Sequence, residues 1–187
     1  MKLALIGTHG VGKTTLAFEL AARLKRRNFD VEIVREVARR CPLPINQRTT
    51  LLAQEWILLT QMALEIEATA AHELVLCDRS VLDNYCYLVH AAGPQPLWER
   101  VLEDWLPTYD LLVWVPNWSQ PSYDGVRAVD PSFQRRIDIL LGSMVAARGL
   151  KPLRLAPERR ERWGDDIMGA ILPSIEPTLP LFPSAGD

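Results

Sequence analysis

The sequence predicts an α/β domain, a parallel sheet with helices on both faces. Three observations predict it. Short apolar runs of strand length alternate with longer stretches of helical period. The first apolar run stops at a glycine-rich loop that opens a helix. Gly7, Glu36, Asp78 and Pro116 each follow the end of an apolar run. In open parallel sheets the ligand sits beyond the carboxyl ends of the strands, so one site would collect four separate parts of the chain.

The elements follow in order. Leu3 to Ile6 reads as a buried parallel strand. Lys13 to Arg27 reads as a helix, with Leu16, Leu20 and Leu24 on one face and Asn28 at its end. Val31 to Val34 is the second strand, and Pro42 and Pro44 then break the chain. Thr49 or Thr50 caps a long helix running to about His72. Leu74 to Cys77 is the third strand, followed by helices over Val81–Ala91 and Leu97–Leu106. Leu111 to Val115 is the fourth strand. The stretch from about 117 to 131 lacks a period, is rich in Pro, Ser, Asp and Gly, and reads as a lid. A helix over Pro131–Ala147, a strand over Pro152–Leu155 and a helix over Glu158–Leu172 complete residues 1–172. The proline-rich tail, 173–187, is expected to be extended.

Composition sets limits. The chain has 187 residues, 48% of them hydrophobic, which suits a single core. Its formal net charge of -2 does not resemble a basic nucleic-acid-binding surface, so nucleic acid is not expected as a partner. No apolar run reaches the roughly 18 residues that a membrane span needs. Cys41, Cys77 and Cys86 show no CxxC spacing, and a cytoplasmic protein with reduced thiols is expected.

The segment Gly7-Thr8-His9-Gly10-Val11-Gly12-Lys13-Thr14 carries the phosphate-loop spacing, with a strand before it and a helix after it. Its glycines let the chain wrap around phosphate oxygens with N–H groups pointing inward, and the helix start adds a positive dipole. Lys13 is placed to reach β- and γ-phosphates and Thr14 to ligate Mg²⁺; Thr15 continues the nucleotide-binding set. Asp78, at the end of the third strand, is the second expected Mg²⁺ group, and ATP with Mg²⁺ is the expected cofactor pair. Ser80 is expected to cap a helix rather than to react.

Glu36 closes the second strand, where a carboxylate can take a proton from an attacking hydroxyl. Arg39 lies one turn on, to bind substrate or to pair with Glu36, and Arg79 is a partner for phosphate or for an acidic neighbour. Arg127, in Tyr123-Asp124-Gly125-Val126-Arg127, is expected to close over the transferring phosphate, with Arg135 and Arg136 as further candidates. Trp56 is read as core, with stacking on a base or ring as its alternative.

The phosphate loop, Arg35-Glu36-Val37-Ala38-Arg39, Cys77-Asp78-Arg79-Ser80 and Asp124-Gly125-Val126-Arg127 occur in that order. Together they resemble an AAA-like P-loop ATPase/kinase family related to the ribosylnicotinamide kinase domain of the bacterial NAD regulator protein. Asp78-Arg79-Ser80 is also similar to an element of the deoxynucleoside and thymidylate kinases. The resemblance covers roughly residues 1–172. It implies a three-layer P-loop NTPase fold, nucleoside-kinase-like, with a five-stranded parallel sheet, and a phosphotransferase with Glu36, Arg39 and Asp78 at the acceptor pocket. Ser80 stands where the ribosylnicotinamide kinases carry an acidic residue, so the resemblance speaks to reaction type before substrate.

Three function classes remain open. The first is a kinase for a nucleoside, nucleotide or related small hydroxyl acceptor. The second is an NTPase switch that hydrolyses ATP or GTP to regulate a protein partner, and the third is a module that binds nucleotide without turnover. The fourth strand continues Val115-Pro116-Asn117-Trp118 instead of a guanine-reading Asn-Lys-x-Asp, which favours ATP. Monomer and homodimer both remain open.

Overall fold

The computed structural model describes residues 1–45, 49–117 and 131–176. Five strands form one parallel sheet: β1 (Lys2–Ile6), β2 (Val31–Val34), β3 (Leu74–Cys77), β4 (Leu111–Trp114) and β5 (Leu153–Arg154). Their order is β2-β3-β1-β4-β5, so β1 is central and every crossover carries a helix. The helices are α1 (Lys13–Lys25), α2 (Leu51–Ala71), α3 (Val81–Ala92), α4 (Pro96–Trp105), α5 (Pro131–Ala147) and α6 (Trp163–Ile175).

Strand alternation builds two separate cores. Leu3, Leu5, Leu74, Leu76, Val113 and Val115 face α1 and α6. Ala4, Ile6, Val75, Cys77, Leu112 and Trp114 face α2 to α5. This is the expected three-layer architecture, a five-stranded parallel sheet between two helical layers. It explains why the strands read as continuous apolar runs: both faces are covered. Leu16, Leu20 and Leu24 make the buried face of α1. Asn28, with φ 63°, closes the turn after that helix. Thr50, not Thr49, caps α2, accepting from Ala53 N at 3.2 Å.

Two expectations need correction. The predicted helix over Glu158–Leu172 is a 3-10 turn, Pro157–Arg162, followed by α6. Pro173 lies inside α6, which runs on to Ile175. A proline there removes its own N–H bond to the fourth residue back and crowds that residue's carbonyl with its ring. That residue is Gly169, exposed and with open space around it, so its carbonyl can turn to water. Residues 118–130, which hold most of the expected lid, and the tail from 177 lie outside the described residues.

Cys77 and Cys86 are buried, Cys41 is half-buried, and all three are free thiols. Burial pushes the thiols of Cys77 and Cys86 well above their ordinary range, so they pack as apolar groups. Among the described residues, no helix is long and apolar enough to cross a membrane.

Candidate functional site

The loop after β1 is shaped by close backbone approach. Gly7 has φ 144°, and a Cβ placed on it would sit 2.5 Å from the Val115 carbonyl oxygen at the end of β4. Only glycine fits there. Gly12, with φ 98°, is the N-cap of α1, so the loop runs directly into the helix. Val11 anchors the loop in the α1/α6 core.

Two side chains from distant elements hold this loop. Asp83 Oδ1 accepts from Gly7 N at 2.9 Å. Its Oδ2 accepts from Ser80 N at 2.9 Å and from Ser80 Oγ at 2.7 Å, closing a capping box on α3. Gln134 on α5 donates through Nε2 to His9 O at 2.9 Å, and its backbone carbonyl accepts from Thr8 Oγ1 at 3.3 Å. The sequence reading missed both. The Ser80-x-x-Asp83 spacing was a visible capping signal, but nothing in it pointed to Gly7. Gln134 carried no signal.

Lys13 is buried and folds back on the loop, donating to Gly7 O and Thr8 O, each at 2.6 Å. Its pKa is lowered to about 7, by burial first and by the Arg79 charge second, against the pull of Asp83, Asp78 and Glu36. Thr14 donates to Asp78 Oδ2 at 2.6 Å. Burial raises the Asp78 pKa, opposed by the Thr14 hydrogen bond and by Lys13. A hydroxyl and an under-compensated carboxylate side by side are hard oxygen donors of the kind Mg²⁺ accepts alongside phosphate oxygens and water. The residues therefore fit that ion. Thr15 is exposed.

Beyond β2 and β3 the site is built from side chains. Glu36, buried, accepts from Arg79 Nε at 2.9 Å and Nη2 at 2.8 Å through Oε1, and from Arg39 Nε at 3.0 Å through Oε2. Arg39 rides on a 3-10 turn, Val37–Arg40, that starts just after Glu36. Arg79 is buried, with its guanidinium carbon 5.0 Å from the Tyr87 ring centroid. Its backbone has φ 141°, an unfavourable region for a side-chain-bearing residue that costs roughly 1–3 kcal/mol and persists only where neighbours impose it.

These groups line one cavity that opens to solvent. Glu36, Arg39 and Arg79 form its charged wall, and Gln54, Ile57 and Phe133 are among its other walls. His9 joins the cavity to the phosphate loop, with Nδ1 3.1 Å from the Tyr87 hydroxyl and its ring centroid 5.4 Å from that of Phe133. Buried Asn84, another lining residue, has no hydrogen-bond partner for Nδ2. Trp56 is half-buried and does not line the cavity; α2 presents Gln54 and Ile57 instead. Arg135 is exposed on α5 and is not among the lining residues, and Arg127 lies outside the described residues.

A glycine loop between a central strand and a helix, with a carboxylate-ended strand beside it, defines a P-loop protein of kinase-like architecture. The AAA domain family matches residues 2–162, and the chain belongs to that family. By structure the chain is similar to a deoxyadenosine kinase from M. mycoides with products dCMP and a flexible dCDP bound. The TM-score is 0.63 at 16% identity, over 94% of this chain and 100% of the other. The same enzyme with bound dATP gives a TM-score of 0.62 at 15% identity, over 93% of this chain and 100% of the other. These likenesses show the nucleoside-kinase-like fold. No curated protein matches by sequence. The likeness to ribosylnicotinamide kinases rests on the sequence segments alone.

Proposed function

We propose that the protein is an ATP- and Mg²⁺-dependent phosphotransferase that moves the γ-phosphate to a hydroxyl of a nucleoside, nucleotide or related riboside. The observation that carries this reading is the position of Glu36. A buried carboxylate, oriented by two arginines, faces a cavity whose wall includes His9 of the phosphate loop. A hydrolase needs room only for water. A phosphotransferase needs this kind of second cavity.

Each group has a role in this reading. The loop N–H groups and Lys13 hold the phosphates, with Lys13 exchanging its contacts to Gly7 O and Thr8 O for phosphate oxygens. Thr14 and Asp78 hold Mg²⁺, which neutralises phosphate charge when bound. Glu36 accepts the proton of the acceptor hydroxyl; general-base assistance of this kind contributes about 10²–10⁴-fold. Arg79 and Arg39 fix the direction of that carboxylate. Arg79, partly neutralised by Glu36, also adds positive charge beside the transferring group. Residues 1–172 form the catalytic domain in this reading, and a cytoplasmic setting suits its free thiols. Arg127, outside the described residues, keeps in this proposal the role of meeting charge on the transferring phosphate, and Arg135 enters no step.

The test is phosphate transfer from labelled ATP to a panel of nucleosides, nucleoside monophosphates and pyridine ribosides, for the wild type and Glu36→Gln. The expected result is transfer to at least one acceptor. In Glu36→Gln, transfer should fall by about 10²-fold or more while ATP binding is kept and slow hydrolysis is less affected. No acceptor in a broad panel, with equal loss of any hydrolysis in the variant, would replace this reading with an ATP- or GTP-hydrolysing switch.

A further inference from the structure

Below the cavity, α2 carries a carboxylate that solvent does not reach. Glu65 is fully buried, and both of its oxygens are filled. Oε1 accepts from Gln61 Nε2 at 2.9 Å and from the Tyr109 hydroxyl at 2.8 Å. Oε2 accepts from Lys2 Nζ at 2.9 Å and from Trp105 Nε1 at 2.9 Å. The Lys2 charge stabilises the carboxylate, and the carboxylate in turn dictates which way its neutral neighbours point.

Two of those neighbours also reach the strand end that carries Arg79. Gln61 Nε2 donates to Arg79 O at 3.3 Å, and the Tyr109 hydroxyl accepts from Val81 N at 2.9 Å. An ionised carboxylate only accepts hydrogen bonds. It therefore forces the Gln61 amide to turn its nitrogen inward, and that same nitrogen holds the Arg79 carbonyl. The orientation leaves Gln61 Oε1 buried with no partner, the mark of an amide turned for its neighbours' sake. Likewise Tyr109 donates its single proton to Glu65, so its oxygen is left to accept from Val81. The clamp starts at the carbonyl of Arg79, whose backbone is strained at φ 141°, and ends at Val81 N.

We propose that Glu65 is a positioning residue: through Gln61 and Tyr109 it fixes the Arg79–Val81 backbone in the conformation that points the Arg79 guanidinium at Glu36. The proposal rests on the reading of Glu36 and Arg79 as the acceptor site. Glu65 does not line the cavity. Its effect is therefore on acceptor recognition and on the setting of Glu36, and the phosphate loop is left alone.

The experiment compares Gln61→Leu, Tyr109→Phe and Glu65→Gln with Trp105→Phe in the full chain. Trp105→Phe removes a Glu65 contact without touching the Arg79 branch, so it reports stability alone. Gln61→Leu is expected to raise the acceptor KM and lower kcat, together costing at least about tenfold in kcat/KM, with the ATP KM unchanged. Trp105→Phe should change melting temperature only. Glu65→Gln leaves buried Lys2 without its counter-charge, with Thr108 Oγ1 as a remaining partner; if that variant does not fold, Gln61→Leu and Tyr109→Phe carry the test. The second readout needs no acceptor: the nitrogen-15 resonance and solvent exchange of Arg79 Nε–H should shift in Gln61→Leu and stay fixed in Trp105→Phe. An unmoved Arg79 signal with unchanged acceptor kinetics overturns the positioning role while leaving the kinase reading intact. A wild type that phosphorylates no acceptor overturns the kinase reading, and the Arg79 signal then decides the positioning role alone.

Discussion

The two halves of the site are made of different materials. The phosphate side is a backbone structure. Gly7 packs against the Val115 carbonyl, Gly12 starts α1, and the ligand would meet mainly N–H groups. The acceptor side is a side-chain structure, in which Glu36, Arg39 and Arg79 hold one another in an ion network under a cavity. A backbone cradle depends on conformations that few residues allow, so it fails abruptly. A side-chain network depends on partners and orientation, so it can be retuned residue by residue.

The sharpest way to break the comparison is Gly7→Ala. A Cβ would meet a backbone oxygen at 2.5 Å on a residue at φ 144°. Strain and clash together should cost about 3 kcal/mol or more of stability and abolish nucleotide binding. Denaturant melts check it; an unchanged midpoint would mean that the loop is not built by backbone fit.

Next in size is Lys13→Ala. Losing a charge-assisted contact to phosphate should lower turnover by at least about 30-fold, equivalent to about 2 kcal/mol. Secondary structure by circular dichroism should persist, since the variant removes two side-chain bonds to the loop but no strand or helix bond. Near-normal turnover would separate the loop from the chemistry.

A subtler effect concerns protons. The unfolded chain keeps Lys13 protonated up to its ordinary 10.5, while the folded protein releases that proton near 7, because burial and then Arg79 disfavour the charge. The unfolded state therefore binds more protons between these values. The Lys13 penalty on stability is full below pH 7 and is relieved as pH rises toward 10.5. Phosphate oxygens reverse the preference. ATP binding should take up a proton at pH 8, and affinity should fall by up to about tenfold per pH unit above neutrality. Calorimetry in two buffers of different ionisation enthalpy measures the uptake, and its absence would mean that Lys13 does not meet phosphate.

The smallest effect is expected from Asp78→Asn. Thr14 keeps its hydroxyl, and the amide keeps an oxygen, so the Mg²⁺ concentration for half activity should rise several-fold, roughly 1 kcal/mol. An unchanged Mg²⁺ requirement would leave Asp78 as a hydrogen-bond acceptor for Thr14 only.

The same contrast governs how much the sequence disclosed. The strands were legible because both faces of the sheet are apolar, and the phosphate loop because its spacing is local and its glycines are obligatory. Glu36, Asp78 and Arg79 stood out as polar residues at strand ends; pairing of Arg39 with Glu36 was one of two readings, while the acidic neighbour of Arg79 could not be named, because it lies 43 residues away. Asp83 and Gln134 escaped because each acts on the loop across a long stretch of chain, Asp83 on Gly7 and Gln134 on His9. Pro173 misled for a local reason: the rule that proline ends a helix ignores how little one missing bond costs in an exposed last turn.

The central position of β1 has a consequence during synthesis. This strand is made before either of its neighbours: Lys2 pairs with Val75 and Ala4 with Leu112. At about 5–20 residues per second, its second neighbour emerges on the order of ten seconds later. Until then a five-residue strand, apolar but for Lys2 and open on both edges, travels with the nascent chain, a template for misplaced strands. Parallel pairings this distant also close slowly. The arrangement that puts the phosphate loop at the heart of the sheet therefore leaves its supporting strand unpaired until both later neighbours have been made, and gives a chaperone something to cover.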